Sequence, residues 1–199
     1  TFISSGALAD QDLILTAAHN FASPAFPLSF ITNRDVECGT GIAAAGPWFK
    51  VRGGFDRRGQ IRHPSDYSYF DWETDYAVVK LTKRSPSPSS FTLLENPPLE
   101  VGDTIHIAGY PAEKPNTGSV LHYGRARVTH IANGCIAYEH PTAGGVSGAP
   151  LWVGHAGKFI LVGIHVGFGQ CGPVYNTAVA HRITPSTVAN IRKWQDSFE

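Results

Sequence analysis

Charge is scarce in this chain, and what there is cancels. Of 199 residues, 16 are Lys or Arg and 16 are Asp or Glu, so charged side chains make up only 16% and the formal net charge is zero. Soluble domains typically carry roughly 25% charged residues. A neutral chain has no long-range field to draw in nucleic acid or an anionic membrane surface, which argues against both as partners. A long apolar run is missing too. The longest, Phe159 to Gly169, is interrupted by His165 and is about half of what crosses a bilayer. Methionine is absent and no signal-like segment opens the chain, so the expectation is a processed form that begins inside a longer precursor. Cysteine is limited to Cys38, Cys135 and Cys171, enough for one internal disulfide with one thiol left over. No Cys or His spacing matches a zinc site and no H-E-x-x-H occurs, so neither a metal nor another cofactor is expected.

What is present points to a folded β protein. Apolar residues are 42% of the chain, enough for a sizeable core, and 21 Gly with 14 Pro stay below the level of disordered sequences. Length suggests one domain or two small ones. Leu13–Leu15, Tyr76–Val79, Thr104–Ala108, Arg125–Ile131 and Phe159–Ile164 are short β-rich runs punctuated by Gly, Pro or Asn. Asn133-Gly134 is the strongest hairpin signal, because both residues accept positive φ. Only the tail has helical spacing: Thr184-Pro185 supplies an N-cap and an N1 proline, and Val188, Ile191 and Trp194 follow three residues apart. Thr82 to Pro98, with Ser85-Pro86-Ser87-Pro88 at its heart, reads as a linker. The expected units are therefore residues 1–90 and 91–183, both all-β, and a C-terminal helix over 184–199.

Three residues carry chemistry. An apolar strand runs through Leu13-Ile14-Leu15-Thr16 into Ala17-Ala18 and delivers His19; Asp75 opens the run Tyr76–Leu81; Ser147 sits in Gly144-Gly145-Val146-Ser147-Gly148-Ala149-Pro150. A Ser hydroxyl is a poor nucleophile until an imidazole takes its proton, and the imidazole needs a carboxylate to fix its tautomer. Glycines around the Ser let backbone N–H groups converge on a developing oxyanion, which makes the Gly145 and Ser147 amides the candidate oxyanion hole.

In this order and spacing the chain resembles the chymotrypsin-fold serine proteases, and among them most the V8-like glutamyl endopeptidases. The resemblance extends to Thr1–Gly6, to Ile107-Ala108-Gly109-Tyr110-Pro111 with Lys114-Pro115, and to Val162-Gly163-Ile164-His165-Val166-Gly167. It implies two six-stranded antiparallel β-barrels with the site between them, His19 as general base, Asp75 as its orienting partner and Ser147 as nucleophile. It also implies polypeptide substrates, secretion, and contact with an upstream segment or propeptide. A disulfide flanks the pocket in many relatives, which makes Cys135 with Cys171 one pairing; the sequence leaves the connectivity open. Where trypsin-like relatives place an Asp six residues before the Ser, this chain has Pro141, against a basic P1 preference. Thr142 and His165 match the Thr and His that bind the substrate carboxylate in the glutamyl endopeptidases, so cleavage after Glu is implied.

Departures from the pattern matter as well. Val146 replaces the Asp that precedes the Ser in trypsins, the family's first strand is missing upstream of Thr1, and a longer spacing from His19 to Asp75 implies an insertion near Phe49–Tyr69. Other readings carry less. Gly167-Phe168-Gly169-Gln170-Cys171-Gly172 matches G-x-G-x-x-G but no helix follows it, which leaves a chance match or a glycine-rich pocket wall. Arg52, Arg57, Arg58 and Arg62 read as a solvated surface, without the aromatic platform that RNA binding would need. A catalytically silent protease-like binding module is the main alternative. A serine esterase of the α/β-hydrolase type is disfavoured because there Asp and His follow the Ser.

Overall fold

The computed structural model describes residues 4–21, 61–68, 71–81, 91–111 and 121–198. Cys38, Lys114-Pro115, Arg52, Arg57, Arg58 and most of the expected insertion and linker lie outside them. Eleven strands and one helix follow in order: β1 (Ala7–Asp10), β2 (Leu13–Thr16), β3 (Ile61–Arg62), β4 (Ala77–Lys80), β5 (Thr92–Leu93), β6 (Thr104–Gly109), β7 (His122–Ile131), β8 (Cys135–Tyr138), β9 (Pro150–His155), β10 (Lys158–Cys171), β11 (Val174–Arg182) and α1 (Pro185–Asp196).

Two sheets divide these strands. The first has the order β1-β2-β4-β3, antiparallel throughout; of the six strands expected in this half, the described residues supply four. In the second, β11-β8-β7-β6-β9-β10 are paired in sequence and β10 pairs again with β11, so six strands close on themselves as the resemblance implies. Strand β5 adds in parallel to the far end of β10.

Side-chain alternation explains why β2 and β4 are apolar on both faces. Leu13, Leu15 and Val78 point into one cluster, while Ile14, Ala77 and Val79 point into another with Ala18 and Ile61. The first of these clusters is shared. It also contains Leu161 and Ile164 of β10 and Val188 and Ile191 of α1, so the two halves have a common core. The barrel has its own filling, with Ile105, Ile107, Val128, Ile136, Tyr138, Leu151 and Val162 all at 2% exposure or less.

A 12-residue helix is marginal alone. Here Thr184 caps it by accepting the Thr187 N–H at 3.2 Å, Pro185 opens its first turn, and the buried face does the rest. Asn190 Nδ2 donates to Tyr76 Oη at 2.7 Å and Gln195 Nε2 to Asp10 Oδ2 at 3.0 Å, tying the C-terminal helix to the first sheet. Cys135 and Cys171 are joined by a disulfide across 36 residues, linking β8 to the end of β10. A bridge of that span typically contributes ~2–4 kcal/mol.

Candidate active site

The site lies where the turn after β2, the loop before β4 and the middle of β10 approach the loop before β9. After β2 the chain turns through a 3-10 segment, Ala18–Phe21, that presents His19. Ala17 and Ala18 are buried, so only small residues fit this turn. Asp75 is 1% exposed and gives both oxygens to one residue: Oδ1 accepts the His19 backbone N–H at 2.9 Å and Oδ2 accepts from the ring Nδ1 at 2.6 Å. The carboxylate therefore holds the proton of the neutral ring on Nδ1 and leaves Nε2 as an acceptor.

The loop that carries Asp75 is braced from the other half of the molecule. Asp71 caps the turn, accepting from the Glu73 N–H at 3.1 Å and the Thr74 hydroxyl at 2.9 Å. His181 of β11 donates Nδ1–H to the Trp72 carbonyl at 3.1 Å, accepts at Nε2 from Thr187 Oγ1 at 3.0 Å, and stacks on Tyr76 with centroids 4.3 Å apart. Burial lowers the His181 pKa to about 4, although the Trp72 carbonyl and nearby Asp75 oppose the shift. His165 of β10 is lowered to about 3, chiefly by burial and then by the neighbouring His140 and His19.

These two histidines make the fold acid-sensitive. Between the ordinary pKa near 6.5 and the lowered folded values, the unfolded chain binds protons that the folded chain does not. Their contribution is complete above about pH 6.5 and is lost progressively as pH falls towards about 4 for His181 and about 3 for His165. Urea unfolding at pH 7.5 and pH 5 should show several kcal/mol less stability at the lower pH. Equal stability at both would contradict the buried, neutral imidazoles.

Ser147 is held by residues that precede and follow His19. Its carbonyl accepts from Ser4 Oγ at 2.8 Å, the Ser5 N–H at 2.9 Å and Asn20 Nδ2 at 3.2 Å. Ser5 Oγ donates to the Gly145 carbonyl at 2.8 Å and accepts the Tyr110 N–H at 2.9 Å, while Thr16 Oγ1 donates to the Ser5 carbonyl at 2.6 Å. Within the loop, the amides of Val146, Gly148 and Ala149 are bonded to Ala143, His165 and Val146 carbonyls. Those of Gly145 and Ser147 have no acceptor among the described residues, and the φ of +90° at Gly145 requires glycine there. These are the two amides expected at an oxyanion hole. The Ser147 hydroxyl has no hydrogen-bond partner among the described residues.

His165 is bracketed by the same loop: its carbonyl accepts the Gly148 N–H and its own N–H donates to the Ala149 carbonyl, both at 2.8 Å. Its side chain is 1% exposed, with Nδ1 2.6 Å from Tyr138 Oη. Thr142 is half-buried five residues before Ser147. All the predicted residues thus fall on one connected set of elements, with His19 and Asp75 in direct contact. Sequence reasoning missed the braces: Ser5, Asn20, Trp72, Tyr138 and His181. Only Ser5 had a local signal, in the Ser4-Ser5-Gly6 match. The glycine run after His165 packs closely on Trp72: a Cβ at Gly169 would lie 3.0 Å from Trp72 Cζ2.

The model of the trypsin-like peptidase domain matches residues 4–164. The chain belongs to the trypsin-like peptidase family. Within that family it is similar to glutamyl endopeptidases of Staphylococcus aureus: 24% identity over 181 residues for the protein of strain MW2, covering 84% of this chain and 47% of the relative, and 25% over 173 residues for that of strain MRSA252, covering 84% and 43%. The chain spans less than half the length of these relatives. A solved Glu endopeptidase structure superposes with TM-score 0.66 at 19% identity, over 97% of this chain and 85% of that one. The scabies mite inactivated protease paralogue S-I1 superposes with TM-score 0.67 at 15% identity, over 97% and 87%. Together these relationships give this member of the trypsin-like peptidase family a chymotrypsin-type fold and a likeness to the V8-like glutamyl endopeptidases.

Proposed function

We propose that this trypsin-like peptidase domain is a serine endopeptidase that cleaves after Glu through an acyl-enzyme. The observation that carries the reading is the two-point bond from Asp75 to His19, set beside a Ser147 loop whose Gly145 and Ser147 amides have no acceptor among the described residues. Asp75 orients His19, whose Nε2 takes the proton of Ser147 as its Oγ attacks the scissile carbonyl. The two amides then receive the oxyanion. His19 returns the proton to the leaving amine, and water repeats the sequence to release the acid.

Substrate alignment has support in the sheet. The pairing of β9 with β10 ends at Ile164↔Pro150, while β11 continues along the opposite edge of β10 through Cys171. Among the described residues no strand occupies the other edge beyond His165, so an extended polypeptide can add there. His165 and Thr142 supply neutral donors for a P1 carboxylate. With no net charge on the chain, selection for Glu must come from such local groups. A secreted protein fits the Cys135–Cys171 bridge, which persists in oxidising compartments, and none of the described helices is long and apolar enough to cross a membrane.

A peptide library with each residue in turn at P1 tests the assignment. Glu should be preferred, with Asp weaker; an apolar or basic optimum would overturn it. Absence of any turnover would favour the catalytically silent module, a reading to which the fold match with an inactivated paralogue lends weight.

A further inference from the structure

Tyr138 is the largest polar side chain sealed inside the barrel, at 0% exposure, and its hydroxyl has one hydrogen-bond partner among the described residues, His165 Nδ1 at 2.6 Å. Two arrangements satisfy this contact. If the ring carries its proton on Nδ1, that N–H donates to Tyr138 Oη and the phenolic proton has no acceptor. If the phenol donates to Nδ1, the proton of the ring is on Nε2, which has no hydrogen-bond partner among the described residues. The phenol is a more acidic donor than a neutral imidazole N–H, and the imine nitrogen is a better acceptor than the phenol oxygen, so the second arrangement dominates. In this tautomer Nε2 carries the proton for an acceptor that a substrate brings.

We propose that Tyr138 is a positioning residue for substrate selection: by donating to His165 Nδ1, it sets the imidazole in the tautomer whose Nε2–H meets the P1 carboxylate. This deepens the glutamyl reading and rests on it. The ring centroids of Tyr138 and His165 are 6.1 Å apart at 77°, and those of Tyr138 and His140 are 6.4 Å apart, so the phenol ring lies near both imidazoles. Burial keeps the phenol in its protonated form, raising its pKa above the ordinary 10, and keeps His165 uncharged. Discrimination between Glu and its neutral isostere Gln then depends on an oriented neutral donor. Without the phenol, His165 can present the Nε2 lone pair, which repels a carboxylate and tolerates the NH2 of an amide.

The test has two arms. In the first, 15N-detected NMR of the inactive Ser147→Ala chain should show His165 protonated on Nε2; protonation on Nδ1 overturns the proposal. In the second, kcat/KM is measured for matched peptides with Glu or Gln at P1. Tyr138→Phe removes one oxygen, and the Glu-to-Gln ratio should fall by about tenfold or more, carried mainly by the KM of the Glu peptide. A merely structural role would lower both substrates together and leave the ratio unchanged, which also overturns the proposal. The wild-type ratio separates the two levels. If it shows no Glu preference, the glutamyl reading fails and the proposal falls with it; if wild type prefers Glu and Tyr138→Phe keeps that preference, the proposal alone falls. Should Tyr138→Phe not fold, the wild-type tautomer still decides.

Discussion

Replacing Asp75 by Asn should reduce kcat by about 10⁴-fold at neutral pH while leaving the protein folded. The reason is in the two-point contact. The His19 backbone N–H needs an acceptor at the Oδ1 position, 2.9 Å away, and only the amide oxygen of Asn can serve there. The amide NH2 must then face Nδ1, where Oδ2 of the aspartate lies at 2.6 Å. A donor at that point forces Nδ1 to accept and moves the proton of the ring to Nε2. An imidazole protonated on Nε2 cannot take the proton of Ser147. Steady-state kinetics on a Glu peptide, with circular dichroism as a check on folding, gives the answer. A loss of less than tenfold would mean that Asp75 does not set the tautomer of His19.

Gly148→Ala should be the most damaging small substitution in the site, for stability and activity alike. Its φ is +89°, a conformation that costs an L-residue about 1–2 kcal/mol. A Cβ built there falls on the Ser5 carbonyl oxygen and on Thr16 Oγ1, well inside contact distance, and both belong to the network that holds the Ser147 carbonyl. Backbone shifts of that kind typically add about 1–3 kcal/mol. A total of about 2–5 kcal/mol lowers Tm by roughly 5–15 °C in a chain of this size. Turnover should fall as well, because moving Ser5 or Ser147 disturbs the two amides proposed for the oxyanion. Gly154→Ala on the exposed end of β9 is the control: its Cβ would meet nothing within 4 Å, so stability should be retained. Equal melting temperatures for the two variants would contradict the packing described for the Ser147 loop.

How far these features are legible before any fold is known depends on how local their causes are. Thr184-Pro185 announces α1 because capping involves residues a few positions apart. Asn133-Gly134 announces the β7–β8 hairpin, which forms there although neither residue adopts the positive φ that made the pair a signal. Strand β1, Ala7-Leu8-Ala9-Asp10, has no such signal; it forms because Ala7 and Leu8 find Leu15 and Ile14 across the sheet. Strand β10 reads as ending at Ile164, since Gly167 and Gly169 look like breaks. It runs on to Cys171 because bulges beside those glycines keep it paired with β11.

The candidate site follows the same division. His19, Asp75 and Ser147 stand out by residue type and neighbours. Their braces do not: Tyr138 on β8 and His165 on β10 are 27 residues apart, and His181 meets Trp72 across 109. Barrel closure and the docking of the two halves create those contacts, and no run of sequence records them.

The central claim is that Ser147 is a nucleophile activated by His19 and Asp75. A fluorophosphonate probe reacts only with a serine whose proton is being withdrawn, and peptide mass spectrometry locates the adduct. The account predicts rapid labelling of the wild-type protein at Ser147, none in Ser147→Ala, and strong suppression in His19→Ala. A folded wild-type chain that takes up no probe, or an adduct on another serine, would contradict it.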